Sequence, residues 1–234
     1  MNQWQSLFKT DLPLIVEVPK NDIEVVNAAI DGGADAVMLS VLSQKSQYMT
    51  VNFDEEIENI NQIASSVNVK KGVLLGDLRL IEKQEWEQLK TCKLDFLAGY
   101  PNTVPPFILR DEAFPLILYT PTEMPLEFYR VLGELSGVEA LVFLPRSQSV
   151  TDIKYNILDI VGFMLVYSAV SKPILFKVAN SLEPDDLQEL ASKGASGFVL
   201  DPSLTGSLDA EYYKLFTQKY KEPLLQKKKY RFWG

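Results

Sequence analysis

The chain has 234 residues, 47% of them hydrophobic, enough to bury one large core, which suits one barrel-sized domain or two small ones. Its 31 acidic residues outnumber 23 basic ones, a formal charge of −8, so no overall field draws it to nucleic acid or to an anionic membrane. Histidine is absent, which removes the usual acid/base near neutral pH, the common serine or cysteine triad and the commonest metal ligand; any catalysis must use Asp, Glu, Lys, Tyr or bound water.

The opening "MNQWQSLFKTDLPLIVEVPK" lacks a basic segment followed by an apolar core of signal-peptide length and is read as mature protein. A first strand, "PLIVEV" from Pro13, leads to a helix, "NDIEVVNAAIDGG", that closes on Gly32 and Gly33. Strands follow at "DAVMLSV" from Asp35 and "GVLLGD" from Gly72. The single cysteine, Cys92, lies in "LKTCKLDF", a helix end running into a strand; it cannot form an internal disulfide, which fits a reducing, cytoplasmic compartment. After the strand "LDFLAGY" from Leu94, "PNTVPPFILRDEAF" carries three prolines and no helical period, so the fourth helix is expected to be short or absent, with a loop or a single turn near 100–114.

The second half continues with a strand "PLILYT" from Pro115, a helix "LEFYRVLGELSG" ending on Gly137, and a strand "EALVFLP" from Glu139. A helix over 152–168 is apolar nearly all round, too short for a bilayer span of roughly 20 residues, and is expected to be buried, either in a homodimer interface or beneath the chain's own tail. Strands "PILFKV" from Pro173 and "GFVLD" from Gly197 flank the helix "EPDDLQELASKG", which stops on Gly194. The tail, 222–234, ends in "QKKKYRFWG" and is expected to pack on a neighbouring surface. "AIDGGADAVMLS" and "LASKGASGFVLD" are therefore one phrase used twice, the junction from a helix to the next strand. About eight near-continuous apolar strands with helices between them predict an α/β fold, a closed (βα)8 TIM barrel over 1–234. An open doubly wound sheet is the alternative.

In such a barrel, chemistry collects at the C-terminal strand ends, which here carry Glu17, Ser40, Asp77, Tyr100, Tyr119, Arg146, Lys177 and Asp201. Glu17, Asp77, Lys177 and Asp201 are the candidate catalytic groups, because burial moves carboxylates and lysines toward neutral titration. Lys177 could instead merely pair with Glu17 or Asp201. Without a close carboxylate, it could attack a carbonyl and form a Schiff base. Asp77 is a base or a cap for the helix that begins near Glu82. The three acids are hard ligands of the kind magnesium accepts, although no spacing motif requires a metal.

The blocks "PLIVEVPKNDIEVVNAAIDGGADAVMLS" and "KPILFKVANSLEPDDLQELASKGASGFVLDPSLTGS" resemble the first and last two units of the phosphate-binding (βα)8 barrels, the group of ribulose-phosphate epimerase and related phosphosugar isomerases, synthases and decarboxylases. The resemblance implies that Ala179, Asn180 and Ser181 after the seventh strand, and Ser203, Thr205, Gly206 and Ser207 after the eighth, hold a phosphate, with Arg146 at the same mouth. "ANS" replaces the family's glycines in the seventh loop, and Glu183, Asp185 and Asp186 stand beside it. The expected function is a cytosolic lyase or isomerase acting on a small phosphorylated or carboxylated carbonyl compound, an anionic small molecule, by lysine and carboxylate proton transfer. Two alternatives are a non-catalytic barrel binding a ligand or a protein, and a flavin-binding oxidoreductase.

Overall fold

The computed structural model describes residues 12–42, 53–76, 79–120, 124–146, 154–179, 181–205 and 207–225. Eight parallel strands close on themselves in chain order, β1 through β8 with β8 beside β1. The order is β1 (Leu14–Val18), α1 (Ile23–Asp31), β2 (Ala36–Val41), α2 (Phe53–Ser66), β3 (Lys70–Leu75), α3 (Lys83–Thr91), β4 (Phe96–Gly99) and α4 (Pro106–Asp111). It continues with β5 (Leu116–Tyr119), α5 (Leu126–Glu134), β6 (Val138–Phe143), α6 (Ile157–Ala169), β7 (Ile174–Lys177), α7 (Asp186–Ser192), β8 (Phe198–Leu200), a 3-10 turn (Pro202–Thr205) and α8 (Ala210–Leu225). The closed barrel, not the open sheet, is the outcome.

Strand pairing fixes which side chains share a level inside the barrel. Glu17 lies opposite Met38, and Met38 opposite Gly72; two residues on, Leu74 faces Ala98, which faces Ile117. Two further on, Tyr119 faces Val142, which faces Leu175; two beyond that, Lys177 faces Val199, which faces Ile15, two residues short of Glu17. These four two-residue advances add up to the shear of about 8 expected of an eight-stranded barrel, so Glu17, Leu74, Tyr119 and Lys177, one from each odd strand, form a single layer. Ser40, Tyr100, Leu144 and Asp201, from the even strands, form the next layer toward the C-terminal end. Below them everything is apolar: Met38, Ala98, Val142 and Val199, then Ile15, Ile117 and Leu175 around Gly72, all buried. Gly72 is needed because a Cβ there would fall inside the Phe96 ring.

Local signals behave largely as read, with four corrections. Asp22 caps α1 by accepting from the Glu24 N–H at 2.9 Å, and Gly33, Gly137 and Gly194 take the left-handed backbone at φ 99°, 80° and 110°. Gly32 does not: it is right-handed, and its role is close approach, since a Cβ would lie 2.5 Å from the Lys214 carbonyl of α8. The fourth helix is short, as expected, but longer than a single turn, because Pro105 and Pro106 start the six-residue α4 and left-handed Glu112 ends it. α6 begins at Ile157, not 152, because Asn156 caps it, accepting from Leu158 N at 3.0 Å while Asp159 accepts from Asn156 N at 3.1 Å; residues 152 and 153 lie outside the described residues. The tail is helical as far as Leu225, and 226–234 lie outside the described residues.

Candidate functional site

Alternation along each strand aims Glu17, Tyr119 and Lys177 into the barrel, and the pairing above sets Asp201 one layer higher on the strand next to Lys177. All four are at least 97% buried. Lys177 Nζ donates to Glu17 Oε1 and lies 3.5 Å from Asp201 Oδ2, while the Tyr119 hydroxyl donates to the same Glu17 oxygen. The Lys177 ammonium also stands 5.6 Å from the centre of the Tyr119 ring, against which Tyr100 tilts at 5.0 Å. Burial, then the negative charge of Glu17, pushes the Tyr119 phenol well above its ordinary value of 10, so it remains a hydroxyl donor at neutral pH. Three ionisable groups thus meet with two acids against one base.

The shell behind this cluster comes from residues that no sequence motif marked. Tyr213 of α8 is fully buried, and burial followed by the charges of Asp201 and Glu17 raises its phenol pKa as well; Ser203, which donates to Asp201, lies beside it. Asn21, in the left-handed region at φ 51°, clamps the end of β2 by donating to the Ser40 carbonyl at 2.6 Å and accepting from its N–H at 2.9 Å. Leu42 is also left-handed, at φ 55°, and its N–H is held by the Glu56 carboxylate of α2 at 3.0 Å. Two non-glycine residues in this conformation beside one strand end are a local store of backbone strain. The only sequence hint was Asn21 itself, a residue type that tolerates φ above zero.

The remaining expected site residues divide. Asp77, Asn180 and Gly206 lie outside the described residues, as does the side chain of Thr205. The capping role weighed for Asp77 is filled by Glu82, which forms a capping box with Glu85 at the start of α3. The Ser181 hydroxyl accepts from the Tyr155 N–H at 2.7 Å, and Ser207 is half-buried just before α8. Arg146 is exposed and lines a groove between α5 and α6 together with Leu144 of the Asp201 layer. Among the described residues no three His, Cys, Asp or Glu side chains gather as a metal set; Glu17 and Asp201 both lie against the Lys177 ammonium.

Fold and mouth together define a class, the (βα)8 barrel with a buried ionic cluster at the C-terminal end of its strands. No family model and no curated protein matches the chain. Among solved structures it is similar to two mutants of the tryptophan synthase α-subunit from the hyperthermophile Pyrococcus furiosus, both 14% identical, with TM-scores of 0.66 and 0.68 over 93% of this chain and 99% of theirs. It is also similar to a protein of Aquifex aeolicus VF5, 11% identical, with a TM-score of 0.69 over 95% of this chain and 96% of that one. Likeness at this identity carries the fold, and it extends over the middle of the chain as well as over its first and last units. No helix among the described residues is long and apolar enough to cross a membrane.

Proposed function

We propose that the mouth of this barrel is a proton-transfer site and that the protein is a lyase- or isomerase-type enzyme acting on a small carbonyl compound that carries a phosphate or carboxylate. The observation that carries this reading is the contact of Lys177 and Tyr119 with one oxygen of Glu17, inside the barrel and at the end where such folds place their chemistry. Enclosing an ion pair costs several kcal/mol of desolvation, and the layers beneath show that this barrel fills with apolar side chains elsewhere. Stability alone gives no reason for two carboxylates and an ammonium at this level.

Each group then has a role. Glu17 takes the proton from the carbon next to the carbonyl; Lys177 and Tyr119 donate hydrogen bonds to the carbonyl oxygen as negative charge develops on it; Asp201 keeps Lys177 aimed. Schiff-base chemistry is disfavoured, because it called for a lysine without a close carboxylate and Lys177 touches two. The anionic group of the substrate sits at the loops after β7 and β8, at Asn180, Ser181, Ser203, Thr205, Gly206 and Ser207. There it must compete with Asp201 for the Ser203 hydroxyl.

The test is solvent deuterium incorporation, followed by proton NMR, into a panel of phosphorylated and carboxylated aldehydes and ketones. Wild-type protein should exchange at least one of them, and Glu17→Gln should lower that rate by about 10²- to 10⁴-fold. No exchange with any member would favour the second reading, a non-catalytic ligand-binding barrel. One observation supports that reading: each charged group has an opposite charge against it and the cluster is closed to solvent.

A further inference from the structure

α6 is unlike the other outer helices. Its Ile157, Leu158, Val161, Met164 and Leu165 recur at i, i+1, i+4, i+7 and i+8, a single stripe, and this stripe points away from the barrel: these side chains are 44–71% exposed. Its inner face is covered by the barrel, where Phe163 and Val166 pack on the core. Leu126 of α5, 38% exposed, extends the stripe across a groove of about 380 Å³ between the two helices. The outer faces of α2 and α3 are charged, with Glu55 and Glu58 on α2 and Lys83 and Glu87 on α3, and the exposed Val131 on α5 and Leu215 on α8 stand among charged neighbours such as Arg130 and Lys214. α6 has one ionisable side chain of that kind, Asp159, and it is turned inward and 98% buried.

We propose that this face is the two-fold interface of a homodimer, the stripe of one α6 lying in the α5–α6 groove of its partner. The area fits. The six exposed apolar side chains present on the order of 500 Å², and about 65% of the roughly 800 Å² that each subunit contributes to a standard homodimer interface is apolar. The charge fits too. In a two-fold contact each residue near the axis meets its own copy, so a like-charged stripe would repel itself, whereas an uncharged one meets itself without penalty. A membrane surface is a poorer occupant, because helices that lie on anionic lipid carry several Lys or Arg beside the apolar face, whereas α6 itself carries none and, among the described residues, Arg146 is the one basic residue lining the groove beside it. The contact is on the side wall of the barrel, so it stands or falls independently of the chemistry at the mouth.

Sedimentation equilibrium of the full chain between about 1 and 100 µM should give twice the 26.4 kDa chain mass. Val161 and Leu165 are exposed in the monomer, so the double variant Val161→Glu/Leu165→Glu should keep the wild-type circular dichroism, and its unfolding midpoint should fall only by the stability that dimerisation adds. Its dimer dissociation constant should rise by about 100-fold or more. Single cysteines at Leu158, Val161 and Leu165 provide a check that does not depend on the charged variant folding. With Cys92 buried, mild oxidation should cross-link at least one of them into a species of dimer mass on a non-reducing gel. A wild-type monomer at the highest concentration, covered by its own tail or by nothing, overturns the proposal. So does a dimer that the glutamates leave intact, or one in which none of the three cysteines cross-links.

Discussion

Glu17, Lys177 and Asp201 are unequal partners, and the inequality predicts unequal mutants. Lys177→Met leaves two enclosed carboxylates facing each other with no cation and should cost about 3–5 kcal/mol in urea denaturation. Glu17→Gln leaves Lys177 beside Asp201, a balanced pair, and should cost clearly less. Equal losses would mean that Asp201 does not serve as the second partner. Glu56 gives a test of pH dependence. Burial raises its pKa above the ordinary 4.5, against the opposing effects of the Leu42 N–H bond and the Arg79 charge, so the folded state holds that proton more tightly than the unfolded chain does. Its contribution to stability is therefore present below about pH 4.5 and lost as pH rises through the raised folded value. Glu56→Gln, which can still accept from Leu42, should gain on wild type in denaturation midpoint from pH 4 to pH 7; a constant difference would mean that the carboxyl is not perturbed.

At the scale of elements, the interior of the barrel depends on pairing large with small across strands. Phe96 on β4 occupies the volume that Gly72 on β3 leaves open, so Gly72→Ala should cost about 1–3 kcal/mol, and Gly72→Ala/Phe96→Leu should recover most of it. Failure of the second change to rescue the first would place the defect in the backbone of β3. The sequence spelled out the strands, since all eight apolar runs became strands with ends shifted by a few residues. It did not separate the two faces of α6, because an apolar count does not reveal which side meets the barrel. That is decided by where Phe163 and Val166 dock.

At the scale of the whole molecule, closure depends on the seam where β8, only three residues long, meets β1. α8 straddles this seam. It packs on α1 through Gly32, its Lys221 reaches Asp35 ahead of β2 at 2.6 Å, and its Tyr220 hydroxyl donates to the Leu182 carbonyl ahead of α7 at 2.6 Å. Tyr220→Phe leaves that buried carbonyl without its donor and should lower global stability by about 1–3 kcal/mol in one cooperative transition with an unchanged m value. A second transition in denaturant would instead show that the seam opens by itself.

Apolar runs, helix stops and strand-end residues are local properties, and from them the sequence alone determined the barrel and nominated Glu17, Lys177 and Asp201. Which nominees meet depends on shear. A two-residue advance for every two strands brings residues 160 positions apart into one layer, and no spacing along the chain encodes that. The same geometry brought Tyr119 into contact with Glu17. It also set Tyr213 behind Asp201, from a helix whose sequence carries no catalytic signature. The contacts of Glu17 with Lys177 and Tyr119 exist only after closure, because each needs a side chain from a distant part of the chain to supply its partner.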